Sequence, residues 1–170
     1  MTYFIGIDPS TSSTGYAVLD EDANLIDKGV FLSKADNPVE FNNLYSQLVE
    51  LLQKYQPKGV ICEQQFFGRN VQTTIKLARP TGLVLSAVGT LTKDGELEPE
   101  FEFLNPKSWR KIYHTGTKME KKYSKKESFV VTQERYPGVV TNFKKENDIS
   151  DAIGLAYASW SLYNESQDNG

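Results

Sequence analysis

Four carboxylates stand where one hydrolytic metal site could be assembled. Asp8 directly follows the apolar run 3–7, Glu63 follows the apolar run 59–62, and Asp148 and Asp151 open the last apolar-periodic segment. Side chains at i and i+3 of a helix share a face, so Asp148 and Asp151 point together. Acids gathered in one cleft repel each other and lose hydration, so a fold that gathers them needs divalent cations or protons. Carboxylate oxygens suit Mg²⁺, with Mn²⁺ as its substitute, and the chain offers a softer metal only one cysteine and one histidine. Two such ions about 4 Å apart acidify an attacking water on one side and stabilise the leaving 3′ oxygen on the other, which is phosphodiester hydrolysis. In that arrangement Asp8 bridges the ions, Glu63 and Asp151 each hold one, and Asp148 completes the set or orients water. Each acid also has a plainer reading: Asp148 as a helix N-cap, Asp151 as a first-turn acid favoured by the helix dipole, Asp8 as a turn residue.

The surrounding pattern explains how the acids can meet. Runs 3–7, 14–19 and 25–32, separated by the small-residue loop 9–13 and the turn-rich segment 20–24, predict consecutive antiparallel strands. Pro38 opens an amphipathic helix in which Phe41, Leu44, Tyr45, Leu48, Leu52 and Tyr55 recur at helical spacing, and Pro57 ends it. The continuous apolar run 59–62 predicts a central strand covered on both faces. A right-handed crossover sets it parallel to run 3–7, so Asp8 and Glu63 emerge at one edge of the sheet. Residues 70–91 predict a second helix with Val71, Ile75, Leu77, Ala78, Val84, Leu85 and Val88 inward, kinked or divided at Pro80. Residues 100–104 predict an edge strand, and 105–113 and 125–135 two more helices. Residues 148–163 predict a terminal helix with the stripe Ile149, Ala152, Ile153, Ala156 and Trp160, and 164–170 a frayed tail. The class is α/β, one domain over residues 1–170.

Hydrophobic residues make up 39% of the chain, enough for one core. No apolar run approaches the roughly 20 residues of a membrane span, and the N-terminus lacks a secretory-signal pattern, so a cytoplasmic setting is expected. Cys62, within an apolar run, reads as a buried small hydrophobe. The net charge of −3 hides a strong asymmetry: from 105 to 126, eight basic side chains stand against the single acid Glu120, a net +7. Such a block is commonly a solvated face; here it also supplies candidate DNA contacts in Lys107, Arg110, Lys111, Lys118, Lys121 and Lys122. His114 reads as an exposed loop residue able to meet phosphate, and Trp109 and Tyr113, at helical spacing, as core.

Three segments carry a family resemblance. GIDPSTSSTGYAVLD (6–20), ICEQQFFGRNVQTTIKLARPTGLVL (61–85) and NDISDAIGLAYA (147–158) resemble, in order and separation, the segments of RuvC-type Holliday junction resolvases, members of the ribonuclease H-like superfamily. The resemblance implies a five-stranded mixed sheet flanked by helices and a nuclease acting on four-way junctions as a homodimer. It places the catalytic acids on Asp8, Glu63, Asp148 and Asp151, a junction-core aromatic on Phe66 beside Phe67, and an assisting lysine on Lys126 or Lys125. Arg69 and Asn70, at a helix start, are further phosphate candidates. The chain departs from the family in the longer, more basic stretch 116–123 and in Pro80, within the helix that usually contributes to the dimer surface. These departures suggest a phage or otherwise divergent member.

Other functions remain open on these residues. A broader branched-DNA or fork endonuclease and a ribonuclease H share the implied fold, and a non-catalytic junction-binding protein shares the charge pattern. Residues 6–15 also resemble the phosphate loop of actin-like ATPases and sugar kinases, which enclose nucleotide between two such domains; a single-domain length argues against a nucleotide cofactor.

Overall fold

The computed structural model describes residues 1–64 and 70–169. Its centre is a five-stranded mixed sheet: β1 (Phe4–Pro9), β2 (Ser13–Leu19), β3 (Leu25–Leu32), β4 (Gly59–Glu63) and β5 (Glu100–Leu104), in the order β3-β2-β1-β4-β5. β1, β2 and β3 form an antiparallel meander, while β4 pairs parallel with β1 and with β5. The parallel register runs Gly6 to Ile61 and Ile7 to Cys62, so Asp8 and Glu63 leave neighbouring strands at the same end.

Helices cover both faces. α1 (Pro38–Tyr55) and α2 (Val71–Lys93) pack on one, where Ile5, Ile7, Val18, Val60 and Cys62 meet Leu44, Leu48, Leu52, Val84, Val88 and Leu91. α3 (Pro106–His114), α4 (Lys125–Arg135) and α5 (Phe143–Asp168) form the other, around Ala17, Leu19, Ile61, Trp109, Tyr113, Ile153 and Leu155. Side-chain caps open every helix: Asn37, Asn70, Asn105 and Asn142 accept backbone N–H bonds, and Ser124 forms a reciprocal capping box with Glu127. Among the described residues no helix is long and apolar enough to cross a membrane.

Several expectations need correction. α5 begins at Phe143, not Asp148, because Asn142 caps it and Glu146 accepts from the backbone N–H groups of Thr141 and Asn142. Asp148 is therefore no N-cap and Asp151 no first-turn acid. The helix also continues to Asp168, through most of the expected frayed tail. Pro80 does not divide α2 and is buried within it; Thr81 Oγ1 donates a further bond to the Leu77 carbonyl. Val71, Ile75, Ala78 and Leu85 were expected inward but face solvent, because α2 packs through Pro80, Val84, Ala87, Val88 and Leu91 instead.

Candidate active site

α5 lies directly against the backbone of β1. A Cβ at Gly6 would stand 2.1 Å from the Ala152 carbonyl oxygen and 2.3 Å from the Ala156 nitrogen, so only glycine admits this approach. The close fit brings Asp151, on the buried face of α5, to the end of the sheet where Asp8 and Glu63 emerge. Asp148, one helical turn earlier, is half-buried and accepts a 3.4 Å bond from Ser13 Oγ. Asp8 and Asp151 are buried.

The electrostatics register this convergence. Burial, then the charges of Glu63, Asp151 and Asp148, hold the Asp8 carboxyl well above its usual range, with Lys125 opposing. Burial likewise raises Glu63, against a hydrogen bond from Trp109 and the charges of Arg110 and Lys125. Asp151 is pushed up to about 7, chiefly by burial, with Glu63 adding and Lys125 and Arg110 opposing. Lys125 Nζ stands 3.3 Å from Asp151 Oδ2 and 3.5 Å from Asp148 Oδ1, while Arg110 Nη2 lies 3.6 Å from Asp151 Oδ2. Burial works against the Lys125 charge, but Asp151, Asp8 and Asp148 outweigh it and raise its pKa.

Asp151 Oδ1 and Arg110 Nε are buried without a hydrogen-bond partner among the described residues, and an orphaned carboxylate oxygen among other acids has the chemistry of an unfilled ligand position. Among the described residues no three acid, histidine or cysteine side chains already converge as a metal cage. Lys125 and Arg110 supply the positive charge between the acids in this arrangement. The donor set nonetheless fits a hard divalent cation: every candidate ligand is a carboxylate, and cations would relieve the mutual repulsion that raises Asp8 and Asp151.

The basic residues separate into distinct roles. Lys125, first residue of α4 after its Ser124 cap, turns into the site; Lys126, about 100° further round the helix, is exposed to solvent. Arg110 was expected at DNA but is mostly buried, paired with Asp151 and donating to the Tyr123 carbonyl. Lys107, Lys118, Lys121 and Lys122 are exposed. Lys111 is exposed too, yet lines a shallow cavity with Tyr157, Ser161 and Glu165 on the C-terminal half of α5, away from the acids. Asn70 Oδ1 accepts from Gln72 and Thr73 as the α2 cap. Phe66, Phe67 and Arg69 lie outside the described residues.

Two side chains read only as packing or loop have specific partners. His114 is fully buried rather than exposed: it closes α3, and its ring nitrogens bond the Lys122 carbonyl and Ser128 Oγ, which ties the basic segment 115–124 to α4. Trp109 is core, as expected, but its indole N–H donates to Glu63 Oε2 at 2.9 Å. The one sequence signal for this contact was Gly154 within a helix, three residues beyond Asp151.

A mixed sheet in this strand order, flanked by helices on both faces, defines a ribonuclease H-like fold. The chain belongs to the RuvC family: the family model described as Crossover junction endodeoxyribonuclease RuvC matches residues 4–158. Divalent-metal dependence goes with that family of hydrolytic nucleases. Among relatives, the crossover junction endodeoxyribonuclease RuvC of Geotalea uraniireducens is 36% identical over 88 residues, 49% of this chain and 52% of that protein. That of Dictyoglomus thermophilum is 28% identical over 159 residues, 89% of this chain and 91% of its own. The chain thus spans about half the length of relatives matched at higher identity, such as those with 52% and 46% coverage. The solved structure of T. thermophilus RuvC in complex with a Holliday junction substrate superposes with a TM-score of 0.74 at 18% identity, covering 98% of this chain and 96% of that one. At that identity the likeness bears on the fold.

Proposed function

We propose that this chain is a structure-selective DNA endonuclease that resolves four-way (Holliday) junctions by paired, Mg²⁺-dependent phosphodiester hydrolysis, with Mn²⁺ able to replace Mg²⁺. The observation that supports the reading is the mutual electrostatic influence of Asp8, Glu63, Asp148 and Asp151 at one end of the sheet, with Lys125 and Arg110 paired to the α5 acids. These four side chains would hold two cations, which supply activation of the attacking water and stabilisation of the leaving oxygen. The chain's own residues do the rest. Lys125 keeps Asp148 and Asp151 turned toward the cleft and is the lysine placed to meet a phosphate there. Lys118, Lys121 and Lys122, on the segment that His114 anchors, would position the DNA through its backbone, leaving selectivity to junction shape.

Paired nicks in strands of like polarity call for two sites related by a two-fold axis, hence a homodimer. α2 supports this. Val71, Ile75, Ala78, Gly82, Leu85 and Gly89 follow one another in steps of four and three residues and are all exposed. A Cβ at Gly82 or Gly89 would meet nothing within 4 Å. A heptad-spaced stripe of small and apolar residues suits a second helix of the same kind.

The decisive experiment is cleavage of fixed and mobile four-way junctions, with forks, RNA–DNA hybrids and duplex alongside, in Mg²⁺ and in Mn²⁺. Junctions should be cut in symmetric pairs, and Asp8→Asn and Glu63→Gln should abolish cutting while junction binding persists. Nicking by these variants at the wild-type rate would refute the site. Forks cut as fast as junctions would replace the resolvase reading with a broader branched-DNA nuclease.

A further inference from the structure

We infer that Trp109 is a positioning residue of this site: its indole N–H fixes one oxygen of Glu63 and leaves the other the freer one to hold a cation. The inference rests on the nuclease reading above.

Trp109 is 0% exposed, and its Nε1 donates to Glu63 Oε2 at 2.9 Å. A buried indole needs an acceptor for its one polar atom, and a backbone carbonyl is enough. Trp160, only partly buried, shows the backbone solution, donating to the Glu21 carbonyl at 2.8 Å. Trp109 instead uses its bond on a carboxylate at the end of a central strand. An indole donates and never accepts, so the contact holds Glu63 as an acceptor in one rotamer and takes up one lone pair of Oε2, leaving Oε1 the freer oxygen.

The position of the ring is itself determined by α5. A Cβ on Gly154 would stand 2.3 Å from Trp109 Cζ3 and 2.9 Å from Tyr113 Cδ1, so the ring lies in a notch that only glycine provides. Gly154 follows Asp151 by three residues, on the same face of the helix. The stretch of α5 that carries Asp151 therefore also sets Glu63, through Trp109. The next residue, Arg110, has its guanidinium carbon 4.9 Å from the Trp109 ring centroid and its Nη2 3.6 Å from Asp151. Successive α3 side chains thus reach acids on two different elements, β4 and α5. A packing tryptophan would be indifferent to the loss of its N–H; a positioning one would not.

Trp109→Phe keeps a ring in the notch and removes the donor. The test compares it with wild type on the full chain by Mn²⁺ titration calorimetry, single-turnover junction cleavage, and junction binding in EDTA. Mn²⁺ affinity and cleavage should each fall by roughly 10–100-fold, the usual consequence of losing a donor to a metal ligand, while EDTA-bound junction affinity stays at the wild-type value. In a Trp160→Phe background Trp109 is the sole tryptophan, and its emission should change as Mn²⁺ saturates the site. Because Phe in this notch could also lower stability, a cycle with Glu63→Ala isolates the contact: once Glu63 is gone, Trp109→Phe should weaken Mn²⁺ binding no further. Additive losses in that cycle, or a Trp109→Phe protein that binds Mn²⁺ as wild type does, overturn the inference and leave the nuclease reading intact. A wild-type protein that binds no Mn²⁺ and cuts no branched DNA overturns both.

Discussion

Asp151 is a group through which pH should act strongly on the metal-free chain. It is 2% exposed, and burial pushes its carboxyl up to about 7. An unfolded aspartate titrates near about 4, so between about pH 4 and 7 the folded chain keeps a proton that the unfolded chain has released. The stability due to the neutral carboxyl is complete below about pH 4 and is lost as pH rises through about 7. A gap of about three units, at about 1.4 kcal/mol each, amounts to on the order of 4 kcal/mol. In a chain of this size 1 kcal/mol moves Tm by about 2–4 °C, so this group alone should lower the metal-free Tm by roughly 10 °C across the window. Asp8 and Glu63, also raised, act in the same direction. Two groups act in the opposite sense: His114, whose imidazole burial pushes below its usual range, loses its contribution as pH falls from about 6.5, and Glu146, held low by the backbone N–H groups of Asn142 and Thr141, acts only as pH falls below its usual range. The assay is thermal melting in EDTA from pH 5 to 8, repeated with saturating Mg²⁺. Tm in EDTA should fall with pH, Mg²⁺ should restore it most at the alkaline end, where no proton competes for the carboxylates, and Asp151→Asn should flatten the EDTA profile. A flat wild-type profile, or an unchanged slope in Asp151→Asn, would refute the reasoning.

The two candidate lysines should separate in single-turnover cleavage: Lys125→Met loses on the order of 10²-fold and Lys126→Met stays near wild type, and equal losses would contradict the placement of Lys125. Replacing Lys118, Lys121 and Lys122 together by alanine should weaken junction binding and reduce the slope of log affinity against log salt by about 2–3; an unchanged slope would remove this segment from the interface. His114→Ala should cost about 1–3 kcal/mol in denaturant melting and speed limited proteolysis within residues 115–124, since the ring bonds Lys122 of that segment through one nitrogen and Ser128 of α4 through the other. Unaltered protease resistance would count against the tie.

What could be read from the sequence depended on how local the cause was. The strands before Asp8 and Glu63 are apolar runs because each is covered on both faces, and the parallel pairing of β1 with β4 follows from the intervening helix. The meeting of the two strand-end acids was therefore legible. The start of α5 was not, because Phe143 to Asn147 is mostly polar and its helix depends on bonds from Asn142 and Glu146. Val71, Ile75 and Leu85 have the spacing of a core stripe, but spacing cannot say whether the chain or a second copy covers it. Arg110 and Lys125 are part of one basic block by composition. Only the folded arrangement separates them, as partners of buried acids, from the solvent-facing lysines around them.

The distance between α5 and the sheet governs both the chemistry and the stability of this site. Gly6 lets α5 touch β1, and Gly15 brings β2 so near that a Cβ there would stand 2.7 Å from the Asp148 carbonyl oxygen. That approach carries Asp148 and Asp151 to the strand-end acids, and the same approach strips water from Asp8 and Asp151 and drives their pKa values upward. A single methyl group at Gly6 would push the helix out. It would ease the repulsion among the acids and, by the same movement, separate the oxygens proposed above to share cations. The protein instead keeps the close packing and offsets the repulsion with Lys125 and Arg110, both drawn from the basic block. Positive charge in that segment therefore has a structural role toward the acids, beside the role toward phosphate proposed for its exposed lysines.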